Sequence, residues 1–463
     1  MNDNAEMGAK KTSYRSLLYF TLSLVVALGL TWLIKEPTFT DSQVYVLFLL
    51  FFSIGLWITE AIPAFAVSLF IIAYLVFTLG NKHLNSAPEK IDPYVNTFSS
   101  NVIWLLLGGF FLARAMTKTK LDQRLLQLTL RMSGTKPRNI LIACMATTMI
   151  ASMIVSGSAV TAMMVAAIMP LLIASGKSSL SKALLLGIAT AASMGGIGTI
   201  IASAQNALTV GILLNAGIKI DFLHWMLYGV PLAIGLTAIS CVVLLSRYIK
   251  KSTLVPLDAL TAKKEGIQHE SVVQRNIVLG VIIVTVLFWL TTSFHGIPVA
   301  SISAIPIVSL TLTKIITSED VKALPWDTLF LVAGGLSLGA ALESTGILEH
   351  YAASMKTLNL GPVATIFILA YLVMIVSVVM SNTAASAILI PLGFAIVTGL
   401  QKEVALSLGL ASSAGLLLPV SAVPNIIVYG TGLLEQKDFR IVGILIGILG
   451  PLLSVLWVLL MSH

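Results

Sequence analysis

Ser381-Asn382-Thr383 is a polar tripeptide inside a long apolar stretch. Ile375-Val376-Ser377-Val378-Val379-Met380 precedes it, and Ala384-Ala385-Ser386-Ala387-Ile388-Leu389-Ile390-Pro391 follows it. Polar groups are costly in hydrocarbon unless something satisfies them, so such an island lines a cavity or binds something. A degraded copy, Ser156-Gly157-Ser158, lies in the first half, between Met153-Ile154-Val155 and Ala159-Val160-Thr161. Matched polar islands in two apolar halves point to a carrier whose site lies between repeats.

Composition supports a membrane setting. The chain is 57% hydrophobic and 10% charged, with a mean hydropathy of +0.97. A soluble domain carries about 25% charged residues. The expected class is an all-α polytopic membrane protein. The first fifteen residues are polar, and the first apolar run is long enough to span, so no cleavable signal peptide is read. Cys144 and Cys241 lie in apolar surroundings and read as core residues.

The net charge of +8 is distributed as a topology signal. Basic residues cluster at Lys10, Lys11 and Arg15; at 118–138; at Lys177 and Lys182; and from Arg247 to Arg275. The alternate loops carry few. This positive-inside asymmetry puts the N-terminus in the cytoplasm and the C-terminus outside, in the plasma membrane.

Eleven spans are predicted, near 16–34, 43–60, 63–80, 101–117, 181–216, 223–247, 275–294, 297–315, 326–343, 403–434 and 440–461. Two further apolar segments, 139–175 and 361–399, hold the polar islands at their middles. Each is long enough to reach halfway across and return. The loop charges fit only if both enter and leave on one side, as re-entrant hairpins. The stretch 118–131 has leucines at helical spacing between charges and suits an amphipathic surface helix. Its counterpart is 343–356. Arg114, near a span end, is expected to snorkel. Glu60 and Pro63 mark a tight turn.

The halves repeat. Leu105-Leu106-Leu107-Gly108-Gly109 matches Leu331-Val332-Ala333-Gly334-Gly335, and Gly198 to Asn206 parallels Leu417 to Asn425. Five spans per half make the repeat an inverted one. The expected organisation is residues 1–42 as N-terminus and extra first span, and 43–249 as first repeat with tip 156–158. A cytoplasmic linker, 250–274, leads to the second repeat, 275–463, with tip 381–383.

The chemistry read from these islands is anion binding beside a cation. Pro424 lacks an N–H and Pro419 disrupts the turn before it, so carbonyls are freed at the 419–425 break. Carbonyl, hydroxyl and amide oxygens suit sodium, and helix N-termini suit a carboxylate. The first half repeats the parts: Ser152, Ser156, Gly157 and Ser158 at the hairpin, and Ala202, Ser203, Gln205 and Asn206 at the break. Small residues that let helices pack closely would explain one island; four at matched positions argue for a site. No histidine pairs with Cys, Asp or Glu at metal spacing. Nor does a nucleophile elbow or a phosphate-cradling loop occur, so neither an enzyme nor ATP-driven transport is expected.

With a Ser-x-Ser/Thr hairpin tip and a broken helix ending near an Asn in each half, the chain resembles the divalent anion/sodium symporter family, carriers of dicarboxylates, citrate and sulfate. The resemblance covers nearly the whole chain from the second span onward. It implies a homodimer, with a scaffold domain and a transport domain that moves as an elevator. The substrate contacts it implies fall on Ser158 and Ser203 in the first half and on Ser381, Asn382, Thr383 and Ala422 in the second. Its first sodium site would use Ser152, Ser156, Gly157 and Ala202; its second, Ser377, Met380, Asn382 and Ser421. Three departures stand out. Gly157 occupies the place of the family's Asn, Ala204-Gln205 that of Pro-Pro, and Ala422-Val423 that of Thr-Pro. The missing amide at Gly157 weakens a sodium site.

The function expected is therefore transport of small dicarboxylates (C4 or C5), by exchange of one for another. Sodium symport is the close alternative, followed by carriage of sulfate or citrate or proton-coupled antiport. A proton-coupled carrier needs a buried acid or histidine near the site, and the sequence offers none there. Beyond sodium no cofactor is expected, and no nucleic acid.

Overall fold

The computed structural model describes residues 2–121, 124, 134–249, 272–348, 350 and 361–462. Among them every regular element is helical. Most of the expected amphipathic stretch 118–131, most of the linker 250–274 and half of 343–356 lie outside the described residues.

The first half opens with α1 (Asn2–Ile34), α2 (Asp41–Thr59) and α3 (Ala64–Leu79). A capping box starts α2: Thr40 Oγ1 accepts from the Gln43 amide, and the Thr40 amide donates to Gln43 Oε1. Glu60 ends it in the left-handed region, at φ 50°. With Pro63 it makes the tight turn into α3. Next come α4 (Asp92–Val95) and α5 (Asn101–Lys118). The segment 139–175 forms a helical hairpin, α6 (Pro137–Ser152) and α7 (Gly157–Ser175). The expected span 181–216 is broken into α8 (Ser179–Gly195), a 3-10 turn (Ile200–Ala202) and α9 (Ala204–Asn215). The long α10 (Phe222–Tyr248) follows.

In the second half come α11 (Val272–Leu290), α12 (Thr292–His295), α13 (Val299–Ile302), α14 (Ala304–Leu312), α15 (Ser318–Lys322) and α16 (Trp326–Ser344). A second hairpin, α17 (Pro362–Val379) and α18 (Asn382–Ile396), precedes a second broken helix. This consists of α19 (Gln401–Ala411), a 3-10 turn (Ser412–Ala414) and α20 (Val423–Tyr429). The last helix is α21 (Phe439–Ser462).

Among the described residues, seven helical segments are long and apolar enough to cross a membrane. Six coincide with expected spans. The seventh is Pro362–Val379, the first limb of the second hairpin. The four hairpin limbs have 16, 19, 18 and 15 residues. At 1.5 Å per residue they are about 22–28 Å long, most of a ~30 Å hydrocarbon core. The limbs together fill the two expected segments, and Pro170 and Pro391 are carried inside the returning limbs α7 and α18.

The halves are interleaved. In the first, α9 packs on α18 and α19; in the second, α20 packs on α7 and α8. Likewise α16 packs on α3, and α5 on α13 and α14. The leading glycine of each Gly pair makes these crossings close. A β-carbon on Gly334 would fall 2.3 Å from Ser68 Cβ, and one on Gly108 would fall 2.8 Å from Ser303 Cβ. Small-residue contacts of this kind drive helix association where lipid removes the hydrophobic term.

Arg114, near its span end, is ion-paired. Its guanidinium donates to Asp320 Oδ1 at 2.9 and 3.1 Å. Lys118 Nζ reaches the other carboxylate oxygen. Asp320 caps α15 through the Thr317 amide and hydroxyl, at 2.9 and 2.8 Å. Burial pushes this carboxyl's pKa up, but the Lys118, Thr317 and Arg114 contacts outweigh it and hold it well below the usual carboxylate range. Elsewhere, Lys182 at the start of α8 holds Asp438 before α21, at 2.8 Å.

Candidate functional site

Both polar islands are N-caps of the returning hairpin limbs. Ser156 Oγ accepts from the Ala159 amide at 3.4 Å, and Ser381 Oγ from the Ala384 amide at 3.2 Å. Serine is placed there by chemistry: in hydrocarbon the first N–H groups of a helix must find an acceptor, and its hydroxyl supplies one. Ser156 and Ser381 are exposed, Asn382 is half-buried and Thr383 is buried. Each tip is therefore a helix N-terminus, with its partial positive charge, at an exposed serine.

Each tip sits against its own broken helix. In the first half Thr199 Oγ1 donates to the Met153 carbonyl at 2.5 Å, and a β-carbon on Gly195 would fall 2.9 Å from Ser152 Cβ. In the second, a β-carbon on Gly415 would fall 3.1 Å from Ser377 Cβ. Ser203 and Ala422 are the equivalent N-caps of α9 and α20, both extended, at φ −149° and −147°. The fold thus sets Ser152 and Ser377 against the broken helix of their own half, while α9, which follows Ser203, packs on α18, and α20, which follows Ala422, packs on α7.

Several carbonyls next to the breaks are taken by side chains. Asn206 Nδ2 donates to both Gly196 O and Thr199 O at 2.8 Å. In the second half Asn425 Nδ2 donates to Leu416 O and Leu418 O, at 3.2 and 3.0 Å. Ser203 Oγ also reaches Gly196 O, Ser421 Oγ reaches Leu418 O, and Trp225 Nε1 reaches Ile197 O at 3.0 Å. Two carbonyls can only accept, so each asparagine amide group must face its break. The two asparagines staple the breaks, satisfying backbone that lipid cannot. Trp225 lies outside both motifs, and no local pattern marks its role.

The two tips differ in their acceptors. Ser377 Oγ is satisfied within its own helix, donating to Val373 O at 2.6 Å. Ser152 Oγ and Asn206 Oδ1 are fully buried and have no hydrogen-bond partner. Orphan buried oxygens beside a tip are what an absent cation or water would satisfy. Sodium, a hard ion, takes oxygen ligands of this kind, and the first half holds them. Gly157 supplies no side-chain oxygen, and a β-carbon there would already lie 3.1 Å from the Ala192 carbonyl oxygen. Ser158 Oγ lies 3.3 Å from Ser156 Oγ.

A separate cavity of about 410 Å³ opens at the C-terminal ends of α9, α16 and α18, lined by Asn215, Gly339, Glu343, Pro391 and Phe394 among others. No tip residue lines it, and its carboxylate disfavours a dianion.

Comparison with known proteins agrees with this architecture. Residues 15–462 match the family described as the sodium:sulfate symporter transmembrane region. A membrane protein of Cupriavidus necator is 30% identical, over 94% of this chain and 90% of its own length. The sodium-dependent dicarboxylate transporter SdcS of Staphylococcus saprophyticus is 28% identical, over 92% and 88%. In fold the chain is similar to the YdaH transporter of Alcanivorax borkumensis, with a TM-score of 0.58, 12% identity, and coverage of 87% of this chain and 98% of that one. MtrF of Neisseria gonorrhoeae has the same TM-score at 10% identity, over 88% and 96%. With the family matched over almost its entire length, this chain is a multi-pass membrane transporter, not an enzyme, and belongs to the sodium:sulfate symporter transmembrane family.

Proposed function

We propose that this protein carries small dicarboxylates (C4 or C5) across the plasma membrane, coupled to sodium, by elevator-type alternating access. The observation that carries the reading is the matched pair of hairpin tips. Each is the N-terminus of a helix of 15 or 19 residues, capped by an exposed serine. Two such N-termini offer one electropositive end to each carboxylate of a dianion, without a buried cationic side chain. Ser158, Ser203, Ser381, Asn382, Thr383 and Ala422 are the proposed substrate contacts.

Sodium coupling is favoured by the orphan Ser152 hydroxyl and Asn206 carbonyl oxygens at the first tip, and by the sodium-dependent dicarboxylate carriers among its relatives. Ser152, Ser156, Gly157 and Ala202 would form the first ion site, with Gly157 and Ala202 contributing only backbone. Ser377, Met380, Asn382 and Ser421 would form the second. Dicarboxylate exchange is the second reading, and the missing amide at Gly157 is what favours it.

The eleven-span inverted topology gains support from contacts between loops. Arg114 with Asp320 joins two loops that this topology puts on the cytoplasmic side, and so does Lys182 with Asp438. On the outer side, Tyr94 Oη lies 2.9 Å from Ser344 Oγ, and Gln43 Nε2 donates to Thr345 O at 3.0 Å. Reading either hairpin as a single crossing would put one of the cytoplasmic pairs on opposite faces. We take the carrier to be a homodimer with its N-terminus in the cytoplasm and its C-terminus outside.

Proteoliposomes test this. A sodium gradient should drive labelled succinate inward with no dicarboxylate inside. Entry that requires internal dicarboxylate and ignores sodium would make the protein an exchanger. Entry of sulfate but not succinate would replace the substrate class, and entry of neither would sink the proposal.

A further inference from the structure

The two broken helices touch through a buried polar pair. Gln205 lies in the first turn of α9, and Ser413 lies in the 3-10 turn that closes α19. Gln205 Nε2 lies 2.9 Å from Ser413 Oγ. Both residues are buried. One turn away on each helix the Thr209 side chain packs onto Gly409: a β-carbon on Gly409 would fall 2.4 Å from Thr209 Oγ1. Thr209 Oγ1 itself donates to the Gln205 carbonyl at 2.7 Å. The hydrogen bond thus sits on a tight helix crossing rather than on a loose surface.

Its neighbours on both sides are fixed. Asn206, the next residue, staples the first break through Gly196 and Thr199, and Thr199 holds the Met153 carbonyl just before the first tip. On the other side Ser412 Oγ donates to Gly409 O at 2.8 Å, and Gly415 packs on Ser377, one turn before the second tip. A continuous path of hydrogen bonds and close contacts therefore runs from one tip to the other, and Gln205–Ser413 is its crossing between halves. A proline at 205 would have no side-chain donor and could not make this link.

We propose that Gln205 and Ser413 are a positioning pair that couples the two half-sites, holding the two breaks in one register so that order at one break depends on the other. This rests on the proposed function only for its transport consequence. A buried hydrogen bond contributes enough to read: its loss changes a local opening equilibrium by roughly threefold to tenfold.

Hydrogen–deuterium exchange on the full-length protein in nanodiscs tests the coupling without reference to transport. Ser413→Ala should speed exchange across 196–206 by roughly threefold or more, although the substitution lies in the other break. Gln205→Leu should do the same across 412–418. The double variant should exceed neither single one, and Ser413→Thr, which keeps the hydroxyl, should match wild type. In proteoliposomes the two single variants should raise the succinate KM with Vmax retained. Faster exchange confined to the mutated break, or additive effects in the double variant, would overturn the coupling. A wild type that moves no dicarboxylate would defeat the proposed function alone, since the exchange result stands apart from it.

Discussion

A β-carbon on Gly157 would lie 3.1 Å from the Ala192 carbonyl oxygen, so the first hairpin tip rests directly on the backbone of α8. A backbone carbonyl in a buried helix cannot swing aside as a side chain can. Gly157→Ala should therefore cost about 1–2 kcal/mol through overpacking, and Gly157→Asn more, with no gain in sodium affinity. Thermal melts and the sodium dependence of uptake check both. An Asn variant as stable as wild type would mean that the tip is free to lift.

Ser152 gives a contrast between stability and function. Its hydroxyl is buried without a partner, so Ser152→Ala removes no hydrogen bond and should leave the melting temperature within about 1 °C, the effect of a few tenths of a kcal/mol. If sodium uses that oxygen, the sodium concentration for half-maximal uptake should rise severalfold. Unchanged sodium dependence would remove Ser152 from the ion site.

Removing either asparagine staple leaves two break carbonyls without their amide donor. Asn206→Ala should cost about 2–4 kcal/mol. Asn425→Ala should cost less, because its bonds are longer, 3.0 and 3.2 Å against 2.8 Å. Thermal unfolding in nanodiscs ranks the two, and the reverse order would contradict the staple argument.

At the second tip, Asn382→Ala should abolish dicarboxylate uptake while the protein still reaches the membrane. Uptake in cells, normalised to surface-labelled protein, measures this. Full activity would show that the half-buried Asn382 is not a substrate contact.

The Asp320 contact with Arg114 and Lys118 should make stability fall in acid. Its carboxyl titrates below the ordinary value of 3.8 in the folded protein. The stabilisation is therefore complete above that value and is lost progressively as pH drops below it. Both partners are about 40% exposed, so solvent screening limits the effect, and Asp320→Asn should cost only about 1–2 kcal/mol at neutral pH. Melts across the acid range should show a steeper loss in wild type than in the variant.

Much of the candidate site was legible because its signals are local. A polar triplet in an apolar run has to cap a helix or bind something, and Ser156 and Ser381 do the capping. The lengths of the flanking runs located both hairpins, and repeated motifs located both breaks. Glu60 and Pro63 were readable as a turn for the same reason.

The sequence by itself determined the membrane class, the family resemblance and the matched tips with Gly157 in one and Asn382 in the other, all properties of residue type and near-neighbour spacing. Tertiary structure alone decided what the polar atoms do. Arg114 meets Asp320 across 206 positions, and Gln205 meets Ser413 across 208. At such separations no periodicity or spacing names a partner. Whether an oxygen is orphaned like that of Ser152, or a carbonyl taken like that of Gly196, depends on which helices the interleaved halves bring together.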